Sequence, residues 1–352
     1  MHREFLGTSS PKLEHCIWLE ARISKMGDLT LTLACGPYDR TEALRTGQVK
    51  PEGIDLHYIA IKSPPEIFSR MIDFKSFDAS EMSLSGYLQM RATGNDEFTA
   101  IPVFPSRVFR HGFIFVKDSI QKPNDLAGRV VGVPEYWQTA AVWIRGILQH
   151  EYDVDLKTVE WREGGVDVPL SPEESEARKN MSGYRPQMLA AGECLSDQLA
   201  KGTLDAVIGA RKPGSVDKTP GLRRLFPNYR EVEKEYFQRT GIFPIMHTLV
   251  VRTEIYERHP WVAESLYKAL SESKRICLNQ MKFTGTIKYT LPWLFADLEE
   301  IDDTFGGDPW PYGYPANRLV LETFAQYLHE QDFVSGPLDP SKYFAPILAS
   351  TQ

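Results

Sequence analysis

Between Phe104 and Val116 the chain reads FPSRVFRHGFIFV, its densest run of cations. Arginine grips a carboxylate through two parallel hydrogen bonds, so this run is a natural place for an anionic ligand. Read as extended from Arg107, it puts Arg107, Phe109 and His111 on one face and Arg110 on the other. At about 3.3 Å per residue, Arg107 and His111 would stand roughly 13 Å apart, which flanks a small aromatic ligand rather than gripping one atom. Pairing with a local acid is the structural alternative; a ligand role for at least one of these arginines is the preferred reading. A second candidate is His247, alone inside the apolar run PIMHTLVV. A histidine so placed is commonly a satisfied core residue. If that strand passes through a hinge between two lobes, its imidazole faces a cleft and suits general acid catalysis near neutral pH.

Three strand-to-helix turns carry polar sets: Tyr38, Asp39, Arg40 and Thr41; Ser80, Glu81, Ser83 and Ser85; Tyr136, Trp137, Gln138 and Thr139. N-capping is the ordinary use of Asp, Ser and Thr there. Their recurrence at corresponding edges favours a shared site, with Trp137 as a flat aromatic wall. Ligands of open α/β sheets bind beyond the carboxyl ends of the strands, where helix N-termini suit carboxylates.

Other chemistries find little support. The eight histidines form no H-x-H, H-E-x-x-H or Cys/His spacing, so no metal site is expected. No G-x-S-x-G elbow, P-loop or G-x-G-x-x-G occurs, which disfavours nucleotide cofactors. The four cysteines, Cys16, Cys35, Cys194 and Cys277, are scattered and read as reduced thiols of a cytoplasmic protein. A net charge of -7 argues against nucleic acid, although a few arginines can still dominate a small cleft. No run of eighteen apolar residues suggests a membrane span. Residues 1–25 lack the apolar core of an export signal, and Met26 reads as an alternative start.

At 352 residues, 42% hydrophobic and 25% charged, the chain is long enough for two lobes. Strands are expected at 29–36, 54–61, 100–103, 112–116, 158–161 and 243–252, with helices near 64–73, 138–152, 260–281, 291–302 and 317–331. The polar stretch 163–192 reads as a surface excursion. The fold class is therefore α/β and two-lobed, with a ligand cleft between the lobes. Residues 1–26 form an N-terminal extension, 27–115 the first part of lobe 1, 116–242 lobe 2, and 243–352 the return strand and C-terminal helices of lobe 1.

Six blocks then carry a resemblance: GPYDRTEAL, FPSRVFRHGFIFV, DLAGRVVGVPEYWQTAAVWIRG, TGIFPIMHTLVVR, ERHPWVAESLYKAL and DPWPYGYPANR. Over Leu29 to Phe344 the chain resembles the 4,5-dihydroxyphthalate decarboxylase family, which in turn resembles type II periplasmic binding proteins. The resemblance implies non-oxidative loss of CO2 from 4,5-dihydroxyphthalate, or a related hydroxybenzoate or phthalate, to give 3,4-dihydroxybenzoate. No electron-sink cofactor is needed, and a divalent metal stays an option. In this reading Arg107, supported by Arg40 and Arg211, holds the retained carboxylate. His247, with His111 as runner-up, protonates the ring carbon. Glu81 or Asp39 draws on the catechol oxygens, and Tyr38, Ser83, Arg110, Trp137 and Thr139 line the substrate. The competing expectations are a solute-binding protein for a small aromatic carboxylate and an effector-binding regulator. The apolar C-terminal third either completes lobe 1 or forms a subunit interface.

Overall fold

The computed structural model describes residues 28–179 and 186–348. The extension expected over 1–26 lies outside the described residues, as does the 180–185 part of the polar stretch. In chain order the elements begin with β1 (Leu29–Cys35), α1 (Glu42–Arg45), β2 (Ile54–Ala60), α2 (Pro64–Phe74), β3 (Ala79–Ser83), α3 (Leu84–Ala92) and β4 (Phe98–Arg107). There follow β5 (Ile114–Lys117), β6 (Val130–Val133), α4 (Thr139–Tyr152), β7 (Glu160–Glu163), α5 (Pro172–Lys179), β8 (Gln187–Met188), α6 (Leu195–Lys201), β9 (Ala206–Ile208), β10 (Leu222–Arg224) and α7 (Tyr229–Thr240). The chain then returns through β11 (Ile245–Arg252), α8 (Thr253–Arg258), α9 (Trp261–Met281), α10 (Leu294–Phe305) and α11 (Tyr314–Glu330).

These strands form two sheets. The first has the order β2-β1-β3-β11-β4, the second β10-β5-β9-β6-β7-β8. In the first, β1, β2 and β3 are parallel, and β11 runs antiparallel between β3 and β4. In the second, β9, β6, β7 and β8 are parallel, with β5 antiparallel to β9. The local reasons are ordinary. LTLTLAC is β-favouring and sinks its later residues into the core. Helix α2 opens on Pro64-Pro65, tolerated in a first turn, and stops at left-handed Lys75. Helix α9 buries Val262, Leu266, Ala269 and Leu270 at helical spacing against the first sheet.

The run 104–116 departs from its expected form. It is not one strand: β4 stops at Arg107, the chain crosses between the sheets, and a 3-10 turn at His111–Phe113 precedes β5. The one-face relation of Arg107, Phe109 and His111 therefore fails, because the crossing rotates the backbone between them. The polar stretch is partly regular, contributing α5 and the short edge strand β8. Helix α7, YREVEKEYFQRT, was not expected; it buries only Tyr236 fully, so its apolar period is faint.

Helix α4 binds the two halves together. Its residues Thr139 to Leu148 are all buried. Ile144 and Leu148 pack into the second sheet's core, while Trp143 and Ile147 pack into the first lobe's. Trp143 stacks on Phe324 of α11 with ring centroids 5.1 Å apart and donates to the Ile245 carbonyl at 3.0 Å. The C-terminal helix α11 thus packs on α4 as well as on the first lobe. No described helix is long and apolar enough to cross a membrane.

Trp143→Ala should cost about 3–5 kcal/mol, the usual penalty for emptying a large aromatic site. A denaturant titration against wild type measures it.

Candidate active site

Sheet direction gathers the candidate residues. Strands β1 and β3 are parallel, so the turn after Cys35 and the end of β3 at Ser83 share one edge. Strand β11 is antiparallel, so its start lies at that same edge, with His247 opposite Ser83. Register irregularities on either side of His247, against β4, mark a bulge of the kind that re-aims a side chain.

Glu81 is the centre of the cluster. It is 0% exposed. Its Oε1 accepts from the Tyr38 hydroxyl at 2.6 Å and lies 2.5 Å from His247 Nδ1. Its Oε2 accepts from the Gly36 N–H at 3.0 Å and from Cys35 Sγ at 3.5 Å. Burial by itself would raise the carboxyl pKa. The hydrogen bond and charge of His247, then Tyr38 and the Gly36 N–H, outweigh it and hold Glu81 below the usual carboxylate range. His247 turns Nδ1 toward this carboxylate, and its side chain is partly exposed. The Phe68 ring meets the imidazole edge-on at 5.0 Å. Burial, and then the Glu81 charge, push both the Cys35 thiol and the Tyr38 phenol upward, so both stay protonated as donors.

The first turn is folded to serve this carboxylate. A Cβ on Gly36 would come within 2.7 Å of the Tyr38 ring, so only glycine lets the ring fold back over the strand end. The Arg40 guanidinium lies 4.3 Å from the centroids of both Tyr38 and Trp310. Tyr58 donates to the Gly36 carbonyl at 2.6 Å and bonds Thr41 at 2.9 Å.

Several expected ligand contacts are otherwise engaged. Arg107 is buried and donates to the Phe243 and Pro311 carbonyls and to Asn317 Oδ1, which fastens the strand crossing to the start of α11. Arg110 is buried against Met246 Sδ and the Phe113 ring. His111 is ringed by Tyr152, Phe226 and Tyr236, and burial, aided by Arg239, pushes its pKa down to about 4. It is a core residue of the crossing. Arg40 donates to the Pro105 carbonyl and pairs with Asp39. Glu81, expected to draw on catechol oxygens, is fully buried, and its two oxygens are taken by His247, Tyr38, Gly36 and Cys35.

The other two turns meet across the cleft. Ser83 and Thr139 hydroxyls bond one another at 2.9 Å, Ser85 N–H donates to Thr139 Oγ1, and Ser85 Oγ donates to the Trp137 carbonyl. Ser83 and Thr139 therefore clasp the lobes. Trp137 lays its ring edge close to Gly86 at the start of α3. Arg211 is exposed just beyond the end of β9, a strand parallel to β6. Gly209 lets these two strand ends meet, since a Cβ there would be 2.9 Å from Pro134. Among the described residues no three His, Cys, Asp or Glu side chains converge as metal ligands. A further pocket, formed by Leu29, Asp78, Arg252, Arg258 and His259, opens at the opposite edge of the first sheet, where Arg252 pairs with Asp78 and Glu254.

Residues not singled out from sequence are Cys35, Gly36, Tyr58, Phe68 and Trp310. The signals were present but mute: Gly36-Pro37 as a turn, and Trp310 within DPWPYG, unremarkable until Arg40 is seen stacked on it.

No family model matches the chain. A 4,5-dihydroxyphthalate decarboxylase of Comamonas testosteroni is 37% identical over 324 residues, covering 91% of this chain and 98% of its own. A 4,5-dihydroxyphthalate decarboxylase of Pseudomonas putida is 37% identical over 208 residues, 58% of this chain and 79% of its own. Among solved structures, the periplasmic aliphatic sulphonate binding protein SsuA of Escherichia coli aligns with a TM-score of 0.52 at 12% identity, covering 90% of this chain and 97% of that one. The two-lobed periplasmic-binding-protein fold is thereby established.

Glu81→Gln should destabilise the protein at neutral pH by about 1–3 kcal/mol, because an amide cannot accept from all four donors. The lowered Glu81 pKa contributes stability that is full above the unfolded value of about 4.3 and is lost as pH falls through the folded value. The difference in Tm between wild type and variant should therefore shrink on acidification below that range. Thermal melts across a pH series measure it.

Proposed function

The chain belongs to the 4,5-dihydroxyphthalate decarboxylase family, and we propose on that premise that it is a carboxy-lyase converting 4,5-dihydroxyphthalate to 3,4-dihydroxybenzoate and CO2. The observation that carries this reading is the 2.5 Å contact between a buried, ionised Glu81 and Nδ1 of His247 at the carboxyl edge of the first sheet. A carboxylate so placed fixes the imidazole orientation and stabilises its protonated form. His247 can then present a proton at Nε2 to a substrate in the cleft.

The chemistry follows from the substrate's ring pattern. Each carboxylate is para to a hydroxyl, whose lone pair raises electron density at the carbon bearing that carboxylate. His247 gives its Nε2 proton to this carbon. The carbon–carboxylate bond then breaks, its electron pair returns to the ring, and CO2 departs as aromaticity is restored. One proton is consumed per turnover, and solvent returns it to His247. No group outside the chain is needed for this sequence.

Binding is assigned to what the two lobes leave available. Arg211, exposed at the end of β9, holds the retained carboxylate. The starts of α3 and α4, brought together by the Ser83–Thr139 clasp, present their positive ends toward an anionic substrate. The Trp137 indole supplies a wall for the aromatic ring. The clasped lobes shield the leaving carboxylate from water.

Purified protein mixed with 4,5-dihydroxyphthalate, with and without a chelator, should form 3,4-dihydroxybenzoate equally in both arms by chromatography. His247→Asn should lower kcat by about 10²–10⁴-fold, the usual weight of a general acid, while the substrate still raises Tm. Full turnover in the variant would remove His247 from the acid role. Wild type that is stabilised by the compound but forms no product would be a binding protein.

A further inference from the structure

Two donors meet on one oxygen of Glu81. His247 Nδ1 is 2.5 Å from Oε1, and the Tyr38 hydroxyl donates to the same atom at 2.6 Å. The second oxygen, Oε2, is taken by the Gly36 N–H and the Cys35 thiol. An acceptor shared between two donors gives less to each. Every share of Oε1 charge drawn by Tyr38 is withheld from the imidazole.

We infer that Tyr38 is a positioning residue that tunes the acid strength of His247 by sharing Glu81 Oε1, rather than a substrate contact. It rests on the reading of His247 as the proton donor. A decarboxylase of this kind needs an imidazole that is protonated at working pH yet gives its proton to carbon. A second donor on the same oxygen lessens the hold of the carboxylate on that proton. Tyr38 moderates the pair while keeping the carboxylate ionised.

The tuning is built into the fold. Gly36 gives the Tyr38 ring the room to fold back, and Arg40, stacked between Tyr38 and Trp310 and anchored to the Pro105 carbonyl, holds it there. The charged or titratable groups facing the pair are few. From β1 and its turn come Cys35, Tyr38 and Arg40, and from β2 comes Tyr58, bonded to the Gly36 carbonyl. From α2 the neighbour is Phe68, which carries no charge. On β11 itself the next side chain, Met246, receives Arg110 on the other face. Cys35 and Tyr58 are held protonated, chiefly by burial. Tyr38 is the hydroxyl that touches the shared oxygen.

The test reads the imidazole directly. Wild type, Tyr38→Phe and Glu81→Gln are labelled at histidine and titrated by NMR, with the His247 resonance assigned by its absence in His247→Asn. Tyr38→Phe should raise the His247 pKa by about one pH unit, since a lost charge-assisted hydrogen bond is felt on that scale. Gly36→Ala, which displaces the ring without touching its hydroxyl chemistry, should raise it in the same direction. In a Glu81→Gln background Tyr38→Phe should add no shift, because the shared charge is gone. With substrate, the alkaline limb of kcat in Tyr38→Phe should move up by the same amount, with KM little changed. An unmoved or lowered His247 pKa in Tyr38→Phe overturns the inference, as does an equal shift in the Glu81→Gln background. Failure of the proton-donor reading is separate: it appears as full turnover in His247→Asn, whatever the titrations give.

Discussion

A carboxylate with no exposure to water is the constraint around which the first lobe is arranged. Left alone, such a group would take up a proton rather than stay charged. Glu81 stays charged because four donors from β11 and the β1 end and turn converge on it. That requirement reaches well beyond the strand that carries it. It fixes glycine at position 36, brings Tyr38 back over the sheet edge, and calls for the Arg40–Trp310 stack that keeps Tyr38 in place. It also demands that a strand from the far end of the chain deliver a histidine at the right register.

The fold class was legible because β-favouring runs, turn residues and amphipathic helices each point to α/β units, and the two-sheet arrangement follows their order. The site was legible only in part. Glu81 and His247 stand out as a lone acid and a lone base in runs otherwise small or apolar, ASEMS and PIMHTLVV. Their partnership was not legible, because it depends on β11 pairing with β3, a long-range choice that local pattern does not encode. Arg107, Arg110 and His111 misled for a related reason. Cations clustered in sequence look like an anion site, but this cluster sits where the chain passes between sheets, and there its charges answer backbone carbonyls, a thioether and aromatic rings. Arg40 likewise meets a carbonyl supplied by Pro105, a partner far from it in sequence.

The cleft is restrained by the segments that cross between the lobes. Binding-protein folds close over ligands by hinge motion about a few crossing segments. Here the crossing at 108–113 is packed by Phe109 against Phe243 and by His111 among three aromatic rings, and α4 shares its buried face between both cores. The Ser83–Thr139 clasp adds a polar contact at the far side of the same helix start. Small shear within this packing, rather than wide opening, is the motion the contacts permit.

The order of the first sheet has a consequence for how the protein is made. Strand β11 lies between β3 and β4, yet the entire second lobe is synthesised before it. Until it inserts, β3 keeps an open edge beside β4, and Glu81 lacks its imidazole partner. Long-range pairing of this kind is slow to form, and open edges invite wrong partners. The nascent first lobe is thus a half-zipped sheet whose acid still lacks one of its four donors, and the arrival of one late strand both closes the sheet and completes the Glu81–His247 pair. Closing the sheet and assembling the Glu81–His247 contact are therefore a single event in this chain.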